Sequence, residues 1–164
     1  PLGAGTHIDH RTAFEAAQKL SGVELRFYED RPYILWPGVL KGRMNALGID
    51  ADVRNVTPQE MAATIGNYHY LTHFVPPGQH RADTLPIYQA ALAPPPGFVF
   101  KAIPETLTAT EPELRRMFDA LAAYESQMPF IYSDYDNFIR DSMTYDRHAG
   151  NAAYTERSWR LQPL

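Results

Sequence analysis

The stretch Asp9-His10-Arg11-Thr12-Ala13-Phe14-Glu15-Ala16-Ala17-Gln18-Lys19-Leu20, followed by Ser21-Gly22 and then Val23-Glu24-Leu25-Arg26-Phe27-Tyr28, decides the fold class. Ala13, Phe14, Ala17 and Leu20 recur at helical spacing, which predicts a helix over 11–20 with Gly22 as its stop. Asp9 stands where an N-cap belongs, and its carboxylate suits the positive end of the helix dipole. Val23, Leu25 and Phe27 alternate with Glu24, Arg26 and Tyr28, the period of a half-buried strand. A helix feeding a strand across two residues is an α/β unit. The strand breaks at Glu29-Asp30-Arg31-Pro32, because proline cannot continue a central ladder.

Further along the chain, Thr57-Pro58-Gln59-Glu60 has capping-box spacing with proline at the first helical position, so a helix is expected to start there. Its apolar face would carry Met61, Ala62 and Ile65. Pro76-Pro77-Gly78 and Pro94-Pro95-Pro96-Gly97 read as irregular connections, and Phe98–Ile103 as a strand. Thr110-Glu111-Pro112-Glu113 repeats the capping signature, with Leu114, Met117, Phe118, Leu121 and Met128 following at helical spacing. Past Pro129, aromatic and acidic residues mix without a clear period.

The 164 residues, 45% hydrophobic and 21% charged, are ordinary for a globular domain and argue against disorder. A chain of this length buries about two-thirds of its unfolded surface, enough for a core without staples. A net charge of −4 gives no electrostatic case for a nucleic-acid or anionic-membrane partner. No apolar run approaches the ~18 residues of a spanning helix. The absence of cysteine excludes disulfides, thiolate metal sites and cysteine nucleophiles. There is no phosphate-cradling glycine loop and no serine in a nucleophile elbow. Fourteen prolines and ten tyrosines point to long ordered loops with aromatic walls, as around a ligand cleft.

The densest polar cluster is Gly5-Thr6-His7-Ile8-Asp9-His10-Arg11. A turn brings His7 and His10 near one point, where one imidazole can bind metal while the other acts on substrate. Asp9 can then hold a ring proton and fix a tautomer. The plainer reading makes Asp9 only a cap and both histidines surface residues. Glu29 and Asp30 end a strand where ligands of α/β proteins gather, so they are candidates for a sugar hydroxyl or an amine. Tyr33, Trp36, Tyr132, Tyr135 and Tyr145 can stack on sugar faces or merely fill a core. Ser126-Gln127 at a helix end can reach into the pocket or only end the helix. His69 and His73, four apart among aromatics, read as an aromatic wall rather than a helical zinc pair.

The G-x-H-x-D-H segment at 5–10, its helix, and Phe27-Tyr28-Glu29-Asp30-Arg31-Pro32-Tyr33 together resemble the PIG-L/LmbE-like de-N-acetylase family. Tyr124-Glu125-Ser126-Gln127 is similar to a Y-x-S-Q ending in that family, and Glu156-Arg157-Ser158-Trp159 to its E-R-x-W-like close. The likeness covers the first 35 residues and the segment 110–127, while the middle resembles an insertion. It implies a zinc-dependent hydrolase that removes the acetyl group of an N-acetylglucosaminyl unit, built on the second half of a Rossmann-like three-layer α/β domain with a long aromatic and proline-rich region. It implies His10 as a zinc ligand, His7 as the group that polarises or protonates at the amide, and Asp9 as the group that orients and charge-tunes His7. Glu29, Asp30, Tyr33, Trp36 and Gln127 would line the substrate.

In the family the other two ligands and the general base lie on an earlier H-P-D-D segment, which this sequence does not contain. We therefore expect 1–164 to be a single domain, the C-terminal portion of a longer deacetylase, active only with that N-terminal segment as partner. The unmatched middle points to a bulky acceptor, such as a glycopeptide antibiotic. The rival expectations are a carbohydrate-binding module that kept the cleft without the chemistry, and a regulatory or assembly chain in which His7 and His10 merely cap a helix.

Overall fold

The computed structural model describes residues 1–4, 8–36, 38–57, 59–60, 93 and 97–164. The chain is mixed α/β. Helix α1 (Ile8–Ala17) leads to strand β1 (Arg26–Tyr28), a 3-10 turn η1 (Tyr33–Leu35), helix α2 (Val39–Ala46) and the short strand β2 (Ile49–Asp50). Strand β3 (Phe100–Thr108) follows, then helices α3 (Glu111–Ala122), α4 (Met128–Ile131) and α5 (Tyr135–His148), and finally strand β4 (Thr155–Pro163). The four strands form one sheet in the order β1-β4-β3-β2. β4 is antiparallel to both β1 and β3, while β2 runs parallel to β3. The sequence reading of an α/β chain holds at this level.

Register explains the burial. Phe27 pairs with Trp159 and Trp159 with Pro104, so one sheet face stacks Phe27, Trp159 and Ala102 against α1 and α2. Phe14 of α1 meets Phe27 at 4.6 Å between ring centroids, and Leu40 and Met44 of α2 close the same core. On the opposite face Tyr28 and Leu107 are exposed, and Arg26 pairs with Glu105 across the sheet. A second core gathers Leu114 of α3, Met128, Tyr132, Phe138 of α5 and Tyr154, with Tyr132 edge-on to Phe138 at 5.2 Å. Trp36 and Tyr145 border both clusters and join them.

Several boundaries differ from the sequence reading. α1 includes Ile8, so Asp9 stands in its first turn rather than at its cap, and Leu20 is exposed beyond its end. β3 runs through Pro104 to Thr108, seven residues past its pairing with β2, where among the described residues the strand has a partner on one side only and tolerates proline. Met128 belongs to α4, not to the helix that carries Leu114. The capping box at 57–60 forms: the Glu60 carboxylate accepts from the Thr57 N–H at 2.8 Å, and the Thr57 hydroxyl accepts from the Glu60 N–H at 3.2 Å. Met61, Ala62 and Ile65, the two proline runs, and His69 and His73 lie outside the described residues. Among the described residues no helix is long and apolar enough to cross a membrane.

The box at α3 supplies a direct test. Glu113 accepts from the Thr110 N–H at 2.7 Å and from its hydroxyl at 2.6 Å. These two bonds, the hydroxyl one first, hold the Glu113 carboxyl below its ordinary value. Thr110→Ala is expected to cost about 1 kcal/mol in a urea titration at neutral pH. The cap's contribution is present above the ordinary carboxylate range and fades as pH falls through the depressed one. The gap between wild type and variant should therefore narrow in acid.

Candidate functional site

The turn that ends β1 sends two adjacent carboxylates to different partners. Asp30, 1% exposed, accepts through Oδ2 from the backbone N–H of Gly3 at 2.6 Å and of Ala4 at 2.8 Å. Its Oδ1 lies 3.2 Å from His10 Nδ1. One side chain thus ties the histidine on α1 to the segment that enters that helix. Gly3 is required there: its φ is +76°, and a Cβ would stand 3.1 Å from Arg43 Nη2 and 3.4 Å from the Arg11 backbone. Arg43 Nε in turn donates to the Leu2 carbonyl at 3.1 Å. The His10 ring meets Tyr33 edge-on at 5.5 Å, and its side chain stays 31% exposed. An imidazole whose Nδ1 faces a buried carboxylate at this distance leaves Nε2 as the atom open to a ligand, the usual arrangement around a zinc-bound histidine.

Glu29, 3% exposed, turns to the sheet and to α5. Its Oε1 accepts from Arg157 Nε at 2.5 Å and from Trp159 Nε1 at 3.0 Å, and its Oε2 accepts from the Tyr145 hydroxyl at 2.7 Å. Arg157 Nη2 also donates to the Tyr145 oxygen at 3.1 Å. Burial, reinforced by the Glu29 charge, pushes the Tyr145 hydroxyl above the usual phenol range, so it stays a neutral donor. The E-R-x-W close of the sequence has a physical reason here: alternation along β4 aims Arg157 and Trp159 at the same carboxylate.

Beside this cluster lies a cleft of about 370 Å³, bounded by η1, α2, the segment 52–60, β3 and the end of α5. Trp36 and Leu35 form part of one wall, and Tyr145 and Arg157 part of another.

The expected site residues are placed as follows. His10, Asp30 and Tyr33 come together at the start of α1. Trp36 lines the cleft. Both carboxylates of the turn have partners within the chain, and sequence reasoning did not foresee Arg157 and Trp159 as the partners of Glu29. Asp9 is exposed in the first turn of α1, and Gln127 is exposed at the start of α4. Tyr132 is buried in the second core and Tyr135 packs on Phe118. Gly5, Thr6 and His7 lie outside the described residues. Among the described residues no group of three His, Cys, Asp or Glu side chains is placed to hold a metal ion. His10 with Asp30 behind it has the donor chemistry of one zinc position. No family model, curated protein or solved structure matches the chain.

Proposed function

We propose that this chain carries the histidine-bearing part of a zinc-dependent amide hydrolase, on the second half of a Rossmann-like layered domain, that removes the acetyl group from an N-acetylglucosaminyl unit. The reading is supported chiefly by one juxtaposition: Asp30, twenty residues on, faces His10 Nδ1 at 3.2 Å with one oxygen and accepts from the N–H groups of Gly3 and Ala4 with the other. The two motifs that carry the family resemblance thereby meet at one carboxylate. In the proposal His10 is a metal ligand through Nε2, and Asp30 is the positioning residue that sets its tautomer. Zinc, when bound, supplies a water of lowered pKa and polarises the acetyl carbonyl. His7, oriented by Asp9, delivers the proton with which the sugar amine leaves as the C–N bond breaks, while the water oxygen ends in acetate. The remaining ligands and the base come from outside 1–164.

Metal analysis of the natural protein tests this. Stoichiometric zinc that falls below about a tenth on His10→Ala supports the assignment, whereas an unchanged content removes it. Acetate release from an N-acetylglucosaminyl substrate, lost on His7→Ala, then separates a hydrolase from a carbohydrate-binding module that retains sugar without cleaving it.

A further inference from the structure

The cleft sits at the end of the same turn that positions His10. Within η1, Tyr33 meets the His10 ring while Ile34 and Leu35 face the cleft, as does Trp36 just after it. The residue against His10 and the cleft-lining residues 34–36 are thus consecutive, and the cavity is large enough for a substituent of a sugar bound at His10. Resting on the deacetylase reading, we infer that this cavity takes an uncharged apolar group, alkyl or aryl, attached to the acetamido sugar.

Two features choose this class over a charged or polyhydroxyl acceptor. First, the charges around the cleft balance among the described residues. Arg54 pairs with Glu60 and Arg157 with Glu29, leaving Lys41 and Asp52 as one cation against one anion. An ionic ligand gains no net field there. Second, part of the polar lining is already committed, the Tyr145 hydroxyl to Glu29 and Arg157, and Arg157 Nε and Nη2 to Glu29 and Tyr145, with the Arg54–Glu60 pair, Lys41, Asp52 and Thr106 as further polar side chains described there. A second sugar needs donors and acceptors aimed at its hydroxyls, whereas Ile34, Leu35, Leu40, Val53 and Val56 offer hydrocarbon.

The experiment compares methyl and octyl 2-acetamido-2-deoxy-β-D-glucopyranoside by calorimetric titration of the natural protein, below micelle-forming concentrations. Burying as few as two methylenes makes the octyl glycoside about tenfold tighter. Val56→Asp should reduce the octyl-to-methyl ratio to near one; Val56 is half-buried and belongs to neither core cluster, and far-UV circular dichroism checks the fold. Equal affinities for the two glycosides in the wild-type protein, which needs no variant, overturn the inference. So does an octyl advantage that survives in folded Val56→Asp. Acetate released from the methyl glycoside without an octyl preference overturns the cleft and leaves the deacetylase. An octyl preference shared by octyl β-D-glucopyranoside, with no acetate released from either acetamido sugar, keeps the cleft as an apolar site and overturns the deacetylase.

Discussion

Glu29→Ala is expected to lower the stability of the fold by roughly 3–5 kcal/mol, because it strands a buried cation and two further donors. The Arg157 guanidinium side chain is 13% exposed, and Glu29 is its ion-pair partner, at 2.5 Å. Removing the carboxylate also leaves the Trp159 N–H and the Tyr145 hydroxyl without their acceptor. Water cannot readily serve the Trp159 N–H, since Trp159 lies in the first core and is fully buried, whereas Arg157 and Tyr145 border the cleft. For a chain of this length such a loss corresponds to a fall in melting temperature on the order of 10 °C. The double variant Glu29→Met/Arg157→Met separates the charge from the packing. Replacing both members of a buried pair by apolar groups of similar size is often neutral, so the double variant should recover much of the loss in urea unfolding. If it is no more stable than Glu29→Ala, the cluster does not act through its charges and this account of the β1 turn fails.

The same cluster shows why half of the fold was hidden in the sequence. β4 alternates properly, with Thr155, Arg157 and Trp159 on the inner face, but an inward arginine reads as a surface residue until its partner 128 positions earlier is known. α5 was obscured in the same way. Its buried positions include Asn137, Asp141, Ser142 and Asp146, so its inner face carries polar groups and the apolar period is lost. Asp146 faces Arg31, whose guanidinium also covers the rings of Tyr145 and Tyr154. Both elements depend on polar contacts across the chain, which periodicity cannot register. Where the signal is local, the reading succeeds: the α3 box and Leu114 are as expected, and the break after Tyr28 falls where Pro32 placed it. At the candidate site, His10, Asp30, Tyr33 and Trp36 were legible as residues. That Asp30 serves His10 was not, because the link is made by the loop at 2–4 folding back onto the β1 turn, where Leu2 N–H donates to the Tyr28 carbonyl at 3.0 Å.

That link gives the second large effect. Asp30→Asn keeps the size of the side chain but replaces one acceptor oxygen with an NH2 donor. The carboxylate now does two jobs, accepting from two backbone N–H groups on Oδ2 and facing His10 Nδ1 on Oδ1. An amide can do only one. If its oxygen stays with Gly3 and Ala4, its NH2 faces Nδ1 and requires that nitrogen to accept, which places the ring proton on Nε2. That proton occupies the lone pair a metal would use. If the amide turns over, the ring keeps its tautomer but exchanges a carboxylate for a neutral amide acceptor, which lowers its basicity as a ligand, and two buried N–H groups lose their acceptor at about 1–3 kcal/mol. Zinc affinity of the natural protein, measured by competition with a chelator, is therefore expected to fall about 10–100-fold. Nitrogen-15 shifts of the His10 ring distinguish the two outcomes: a proton moved to Nε2 accompanies the weaker binding in the first, while a lower unfolding midpoint accompanies it in the second. A lower midpoint with zinc affinity and ring tautomer both unchanged makes Asp30 a structural tie alone, and the coordination role proposed for His10 then loses its main support.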